Sequence, residues 1–166
     1  MKIFPQVTID RFAQLKQGDL FIYVQGDQRC VALKCFDPTD GGDEVILLLG
    51  PKLSEDLAPA PRLIGEASMT VINFGQSYML RLPTEPEGWV VDVPPITVPS
   101  ILAADDKVYY RASIGHRPGQ SKLGWVEISS GLVSRATPPG TKAYAVKWEL
   151  VIQEPGAQDR VILRID

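Results

Sequence analysis

The sequence predicts a mainly β fold, an antiparallel β-sandwich or β-barrel with one short N-terminal helix. Three observations carry this. Two apolar, β-branched and aromatic runs flank a Gly26-Asp27 turn in GDLFIYVQGDQRCVALKCF, residues 18 to 36. Residues 107–114 and 143–153 alternate between apolar and polar positions, the period of a strand with one covered face. Gly- and Pro-rich loops separate such runs along the whole chain, the spacing of sandwiches and barrels.

From the N-terminus, Thr8 to Gly18 reads as a short helix. Thr8 serves as N-cap, Asp10 complements the positive end, Lys16 the negative end, and Gly18 stops it. Ile9, Phe12 and Leu15 form its apolar stripe. The hairpin follows. Glycine first and aspartate second is the chemistry of a tight two-residue turn, and it sets Leu20 opposite Leu33, Ile22 opposite Val31, Tyr23 opposite Cys30 and Asp19 opposite Lys34. Alternation places Leu20, Ile22, Val24, Val31, Leu33 and Cys35 on one face, and Phe21, Tyr23, Cys30, Ala32 and Phe36 on the other. Both faces are apolar, so both require cover and the pair belongs inside the fold.

Val45 to Leu49 is a fully apolar strand ended by Gly50-Pro51, and Ser54 to Leu57 suits one helical turn. Met69–Phe74 and Ser77–Leu82, joined by Gly75-Gln76, read as a second hairpin. Five prolines punctuate residues 83–99, leaving Gly88 to Val93 as a strand and Ile96 to Val98 as an edge segment. A single β domain spanning residues 1–166 is expected, with 83–99 the place for any subdomain boundary, because each half alone is short for a stable core. Lys107 to Ile114, Leu123 to Ile128 and Leu132 to Ala136 are strands. In 143–153, Tyr144, Val146, Trp148, Leu150 and Ile152 share a face, and in 160–165 Val161, Leu163 and Ile165 do so.

Composition narrows the function classes. Hydrophobic residues make up 45% of the chain, enough for a core. The net charge of −3 and the lack of a basic block argue against tracking a phosphate backbone, so no nucleic-acid partner is expected. No apolar run approaches the ~20 residues of a membrane-spanning helix, and the N-terminus has no apolar signal core, so no membrane partner and a cytoplasmic location are expected. The only two cysteines, Cys30 and Cys35, point to opposite faces of one strand, which makes them reduced core thiols. With one histidine and two opposed cysteines, no zinc-type site is expected. Asp37, Asp40, Asp43 and Glu44 form an acidic loop without the spacing of a calcium-binding loop, and no metal or other cofactor is expected.

No catalytic motif stands out. The only histidine, His116, lies in a basic loop with Arg117 and Lys122. Ser121 is close, but Gly119 to Leu123 lacks the second glycine of a nucleophile elbow. His116, Arg117 and Lys122 suit recognition of a phosphate or carboxylate, and Trp89 and Tyr109 are candidate partner-binding aromatics. The favoured reading is a non-catalytic interaction protein that binds a protein partner or self-associates as a homo-oligomer through an edge strand. A small-molecule or carbohydrate-binding β domain is the alternative. A hydrolase using His116, with Cys30, Cys35 or Ser121 as nucleophile, is the third.

Overall fold

The computed structural model describes residues 7–39, 42–50, 61–63, 69–95, 98–104, 106–114, 122–140, 143–153 and 158–166. The fold is mainly β and, among the described residues, closes no barrel. Its strands are β1 (Thr8–Arg11), β2 (Leu20–Gln25), β3 (Gln28–Asp37), β4 (Asp43–Gly50), β5 (Pro61–Leu63), β6 (Thr70–Gly75), β7 (Tyr78–Arg81), β8 (Trp89–Val90), β9 (Ile101–Ala104), β10 (Lys107–Ile114), β11 (Lys122–Glu127), β12 (Leu132–Ser134), β13 (Ala143–Ala145), β14 (Trp148–Ile152) and β15 (Arg160–Ile165). The larger sheet runs β1-β6-β2-β3-β12-β11-β10-β9-β13-β8, with β4 also on β3 and β5 on β4. The smaller sheet is β15-β14-β7.

The first hairpin forms with the expected register, Leu20 opposite Leu33 through Gln25 opposite Gln28, around Gly26 at a φ of 60°. Both faces are covered. Leu20, Val31, Leu33 and Cys35 enter the main core, which also takes Leu150 and Ile152 of the smaller sheet. Phe21, Tyr23, Cys30 and Ala32 enter a second cluster capped by Phe12 and Leu15. A third cluster, Leu102, Ala104, Trp125 and Tyr144, lies on the outer face of the β9–β11 and β13 strands. At the open end Asp19 does stand opposite Lys34, whose amide bonds the Asp19 carbonyl (2.9 Å), but their side-chain charges do not meet. Asp19 accepts the Lys16 amide, and Lys34 turns its ammonium to Glu44 (2.9 Å) and to the Leu15 carbonyl (2.9 Å), 4.8 Å above the Phe12 ring.

The expected N-terminal helix is not there. Thr8–Arg11 is strand β1 beside β6, and only Phe12–Gln14 winds into one 3-10 turn. A helix of about ten residues is marginal on its own, whereas β6 offers its backbone to four residues at once. The proposed cap residues serve the strand: Asp10 accepts from the Thr8 hydroxyl (2.6 Å) and the Asn73 amide (2.9 Å). Of the expected stripe, Phe12 and Leu15 are buried and Ile9 is exposed. Burying Phe12 contributes about 2–3 kcal/mol, enough to fix where the chain leaves β1.

Three further expectations are corrected. Met69–Phe74 and Ser77–Leu82 do not pair with each other: β6 joins β1 and β2, while β7 joins β14 in the smaller sheet. Gly75-Gln76 is a corner between sheets, held by the Gly75 amide on the Asn73 side chain (2.6 Å) and the Gln76 side chain on the Gln17 carbonyl (3.0 Å). Residues 143–153 likewise split. Tyr144 belongs to the outer cluster and Trp148, Leu150 and Ile152 to the main core, so the phase changes at Val146-Lys147, where the Val146 amide bonds the Gly88 carbonyl. In β15, an extra residue at Ile162 shifts the pairing from Leu150–Leu163 to Val151–Val161, which turns Val161 outward and packs Ile162 on the core. The segment after Gly88 is strand only over Trp89–Val90. The helical turn expected at Ser54 to Leu57 and residues 96–97 of the expected edge segment lie outside the described residues.

Within the larger sheet, β3 and β12 join strands from before the proline-rich stretch to strands after it. The Phe36 amide bonds the Gly131 carbonyl (2.9 Å), and the Gly18 amide bonds the Lys34 carbonyl (2.8 Å). Gly131 has a φ of 65°, and a Cβ there would lie 2.6 Å from the Lys34 carbonyl oxygen and 2.8 Å from the Gly18 nitrogen. Both are main-chain atoms and cannot swing aside. Gly131→Ala is therefore expected to cost about 2–4 kcal/mol, strain plus overpacking. Gly26→Ala, with nothing within 4 Å of its Cβ, should cost about 1 kcal/mol. Urea unfolding of both variants measures the difference; equal costs would show that the junction yields freely.

Asp37, at the end of β3, accepts from the Thr39 amide (3.0 Å) and hydroxyl (2.6 Å), with Arg135 3.5 Å from its other oxygen. Burial pushes this carboxyl up, but the Thr39 donors and the Arg135 charge outweigh it and hold it below the usual carboxylate value. A lowered folded value stabilises the fold above the ordinary carboxylate range, and that contribution is lost as pH falls through the folded value. Asp37→Asn should lower the Tm at neutral pH, and its Tm should converge with that of the parent on acidification below about pH 3. Melting curves across that range test it.

Candidate interaction surface

Strand β1 ends the larger sheet on one side. Cross-strand pairing lines up Ile9, Ile72, Ile22 and Val31 on β1, β6, β2 and β3. Exposure falls along this row from 79% at Ile9 to 41% at Ile72 and 7% at Val31. Val24, on the same face as Ile22, is 64% exposed. The main core thus stops short of the sheet edge and leaves an apolar stripe in solvent.

Among the described residues no strand pairs with the outer side of β1, beside that stripe. The Phe12 amide bonds Met69 across the β1–β6 side (2.8 Å), so alternation turns the N–H and C=O of Ile9 to the free side. The Arg11 amide, which also faces away, is taken by the Gln14 side chain (2.9 Å). The open edge therefore ends at Arg11 and centres on Ile9.

At the other end of the sheet, an apolar hollow of about 670 Å³ lies beside β8, lined by Trp89, Val90, Val93, Pro94, Pro95 and Val98 among others. Val91, at its rim, is 82% exposed. Trp89 is anchored there by its indole N–H on the Pro83 carbonyl (2.9 Å). A smaller, more polar cavity of about 390 Å³ separates Tyr78 and Leu80 from Lys107 and Val108. Tyr78 shares its hydroxyl between the Ile128 and Gly18 carbonyls (2.9 and 3.2 Å), and burial raises its pKa.

The residues singled out from the sequence do not gather into one described site. His116 and Arg117 lie outside the described residues, as does Ser121. Lys122 opens β11 opposite Ile114. Tyr109 stands on the row Tyr109–Leu102–Tyr144–Val90 and faces the outer cluster. Trp89 stands on the adjacent row with Ala145 and Ile101 and faces the main core, so the two aromatics lie on opposite faces of the sheet. Trp148 is core, as its alternation implied, and donates to the Pro99 carbonyl (3.2 Å).

In the acidic loop, Asp37 and Glu44 turn to Arg135 and Lys34, and among the described residues no group of carboxylates, histidines or cysteines is arranged to hold a metal ion. Ile9 was legible only as an apolar residue; its place on an open edge depends on the strand that replaces the expected helix. The chain matches no family model, no curated protein and no solved structure.

Cys30 and Cys35 are both free and buried, one in each of the two clusters that sandwich β3. Burial raises the Cys35 thiol well above its usual value, which disfavours the reactive thiolate. Ellman's reagent should find no titratable thiol in the native protein and two after denaturation. Rapid labelling of Cys35 under native conditions would contradict the double-sided burial of β3.

Proposed function

We propose that this is a non-catalytic interaction protein of the β-sandwich type, a single cytoplasmic domain that self-associates as a homo-oligomer. The observation that carries the reading is the apolar stripe Ile9–Ile72 beside a free β1 edge, with Ile9 79% exposed. Natural sheets usually blunt an edge with charges, proline or a covering element. Here the middle of the edge carries an exposed isoleucine, and Asp10 is turned to Thr8 and Asn73.

The occupant that fits is a second copy of β1. Antiparallel pairing about a two-fold axis centred on Ile9 exchanges the outward N–H and C=O of Ile9 between copies. It also joins Ile72–Ile9 of one copy to Ile9–Ile72 of the next in one continuous apolar row. The raised Cys35 pKa weighs against Cys35 as the nucleophile of a hydrolase. The basic residues His116, Arg117 and Lys122 remain candidates for recognition of an anionic partner.

Sedimentation of the parent chain should show a concentration-dependent dimer, and Ile9→Lys should sediment as a monomer. Because Ile9 is largely exposed, the variant should unfold at about the parent's denaturant midpoint once both are monomeric. A parent that stays monomeric up to its solubility limit, or a variant that dimerises equally well, overturns the proposal.

A further inference from the structure

The segment that follows β8 leaves apolar side chains in solvent around one acid. Val91 is 82% exposed and Val93 58%, and Asp92 stands between them. Residues 82–98 carry three carboxylates, Glu85, Glu87 and Asp92, and no lysine, arginine or histidine. All three carboxylates are exposed, and among the described residues none makes an ion pair. Val91 and Val93 join Trp89, Pro94 and Val98 around the hollow of about 670 Å³, a volume within the range of small-molecule pockets. Asp92 is the only charged residue among the described ones that line it.

The walls of this hollow are held in place by the protein itself. Trp89 is fixed by its indole N–H on the Pro83 carbonyl (2.9 Å), Val146 by its amide on the Gly88 carbonyl (2.9 Å), and Val98 by its amide on the Pro95 carbonyl (3.0 Å). Pro94 and Pro95 have their φ angles locked by their rings. A preformed wall loses little freedom when a ligand arrives, so more of the contact energy remains as affinity. Arg111 touches this segment through the Pro94 carbonyl, to which its guanidinium donates, but it does not line the hollow. The Arg111 amide bonds the Ser100 carbonyl (3.2 Å), and the Arg111 Nε and the Ser100 hydroxyl are buried without partners, away from the lining.

An apolar hollow with one acid selects its occupant by charge. A neutral molecule gains contact alone, and an anion is repelled by Asp92 and by the two glutamates of the same segment. A cation with an apolar body gains both contact and charge complementarity. An aromatic wall such as Trp89 also favours a cation. We propose that the hollow beside β8 binds a small organic ammonium, with its apolar body against Trp89, Val93 and Val98 and its charge at Asp92. The hollow lies at the opposite end of the larger sheet from β1, so the proposal does not depend on self-association.

Titration calorimetry of the parent chain with tryptamine tests the site. Tryptophol is the neutral comparator, indole acetate the anionic one, and methylamine the one without an apolar body. Tryptamine should bind saturably and more tightly than any of the three. Asp92→Asn should weaken tryptamine by about two- to fivefold, the range of an exposed ion pair, and leave tryptophol unchanged. Salt at about 1 M should shrink the preference of the parent for tryptamine over tryptophol, because an exposed carboxylate is screened. Val93→Ser should weaken tryptamine and tryptophol alike, by about threefold. Circular dichroism checks that each variant is folded. The proposal is overturned if the parent shows no saturable tryptamine binding, if tryptophol or indole acetate binds as tightly as tryptamine, or if Asp92→Asn keeps the parent's preference. Should Asp92→Asn fail to fold, the parent comparison and its salt dependence decide the matter.

Discussion

Strand β3 is occupied on all four sides, and the rest of the fold follows from that. Along one edge it bonds β2 and then the Gly131 segment; along the other it bonds β4 from Val31 to Asp37. One face enters the main core and the other the cluster under Phe12. A backbone this deeply buried must have its hydrogen bonds met inside the protein. Lys34 shows the constraint at side-chain scale. It sits on the inner stretch of β3 at 3% exposure, and its charge is met by Glu44, two main-chain carbonyls and the Phe12 ring.

Two sheets fed by one chain require corners, and the corners decide which residues meet. At Gly75-Gln76 the chain leaves the larger sheet for the smaller, and at Val146-Lys147 it does so again. Consequently β7 lies beside β14, a strand from much later in the chain. Residues on both sides of the proline-rich stretch contribute to both sheets. The Glu149 carboxylate, bridging Arg81 of β7 and Arg164 of β15, ties the three strands of the smaller sheet together on their outer side.

The larger sheet is longer than the core it covers, and its ends are where the chemistry is left open. At the β1 end an apolar row runs out into solvent. At the β8 end the sheet stops after two residues, and a proline-rich segment folds back to form a hollow and to bond Arg111.

The strand content, the first hairpin and the two opposed cysteines were legible in the amino-acid sequence, because period-two patterning and a Gly-Asp turn act over a few residues. The same local rules set β10, β11 and β4. They failed at Thr8–Leu15, where capping chemistry suggested a helix but β6 supplied a sheet edge. They failed at 70–82 and 143–153, where patterning is the same for a strand that continues and a strand that changes sheets. Ser100 and Arg111 are ordinary residues in sequence, eleven positions apart and separated by a turn. Only the pairing of β9 with β10, and the segment folded over them, turns them into two neighbouring buried donors without acceptors. Local patterning decided what becomes strand; long-range pairing decided which edges stay open and which polar groups are left unmatched, because both depend on what arrives from elsewhere in the chain.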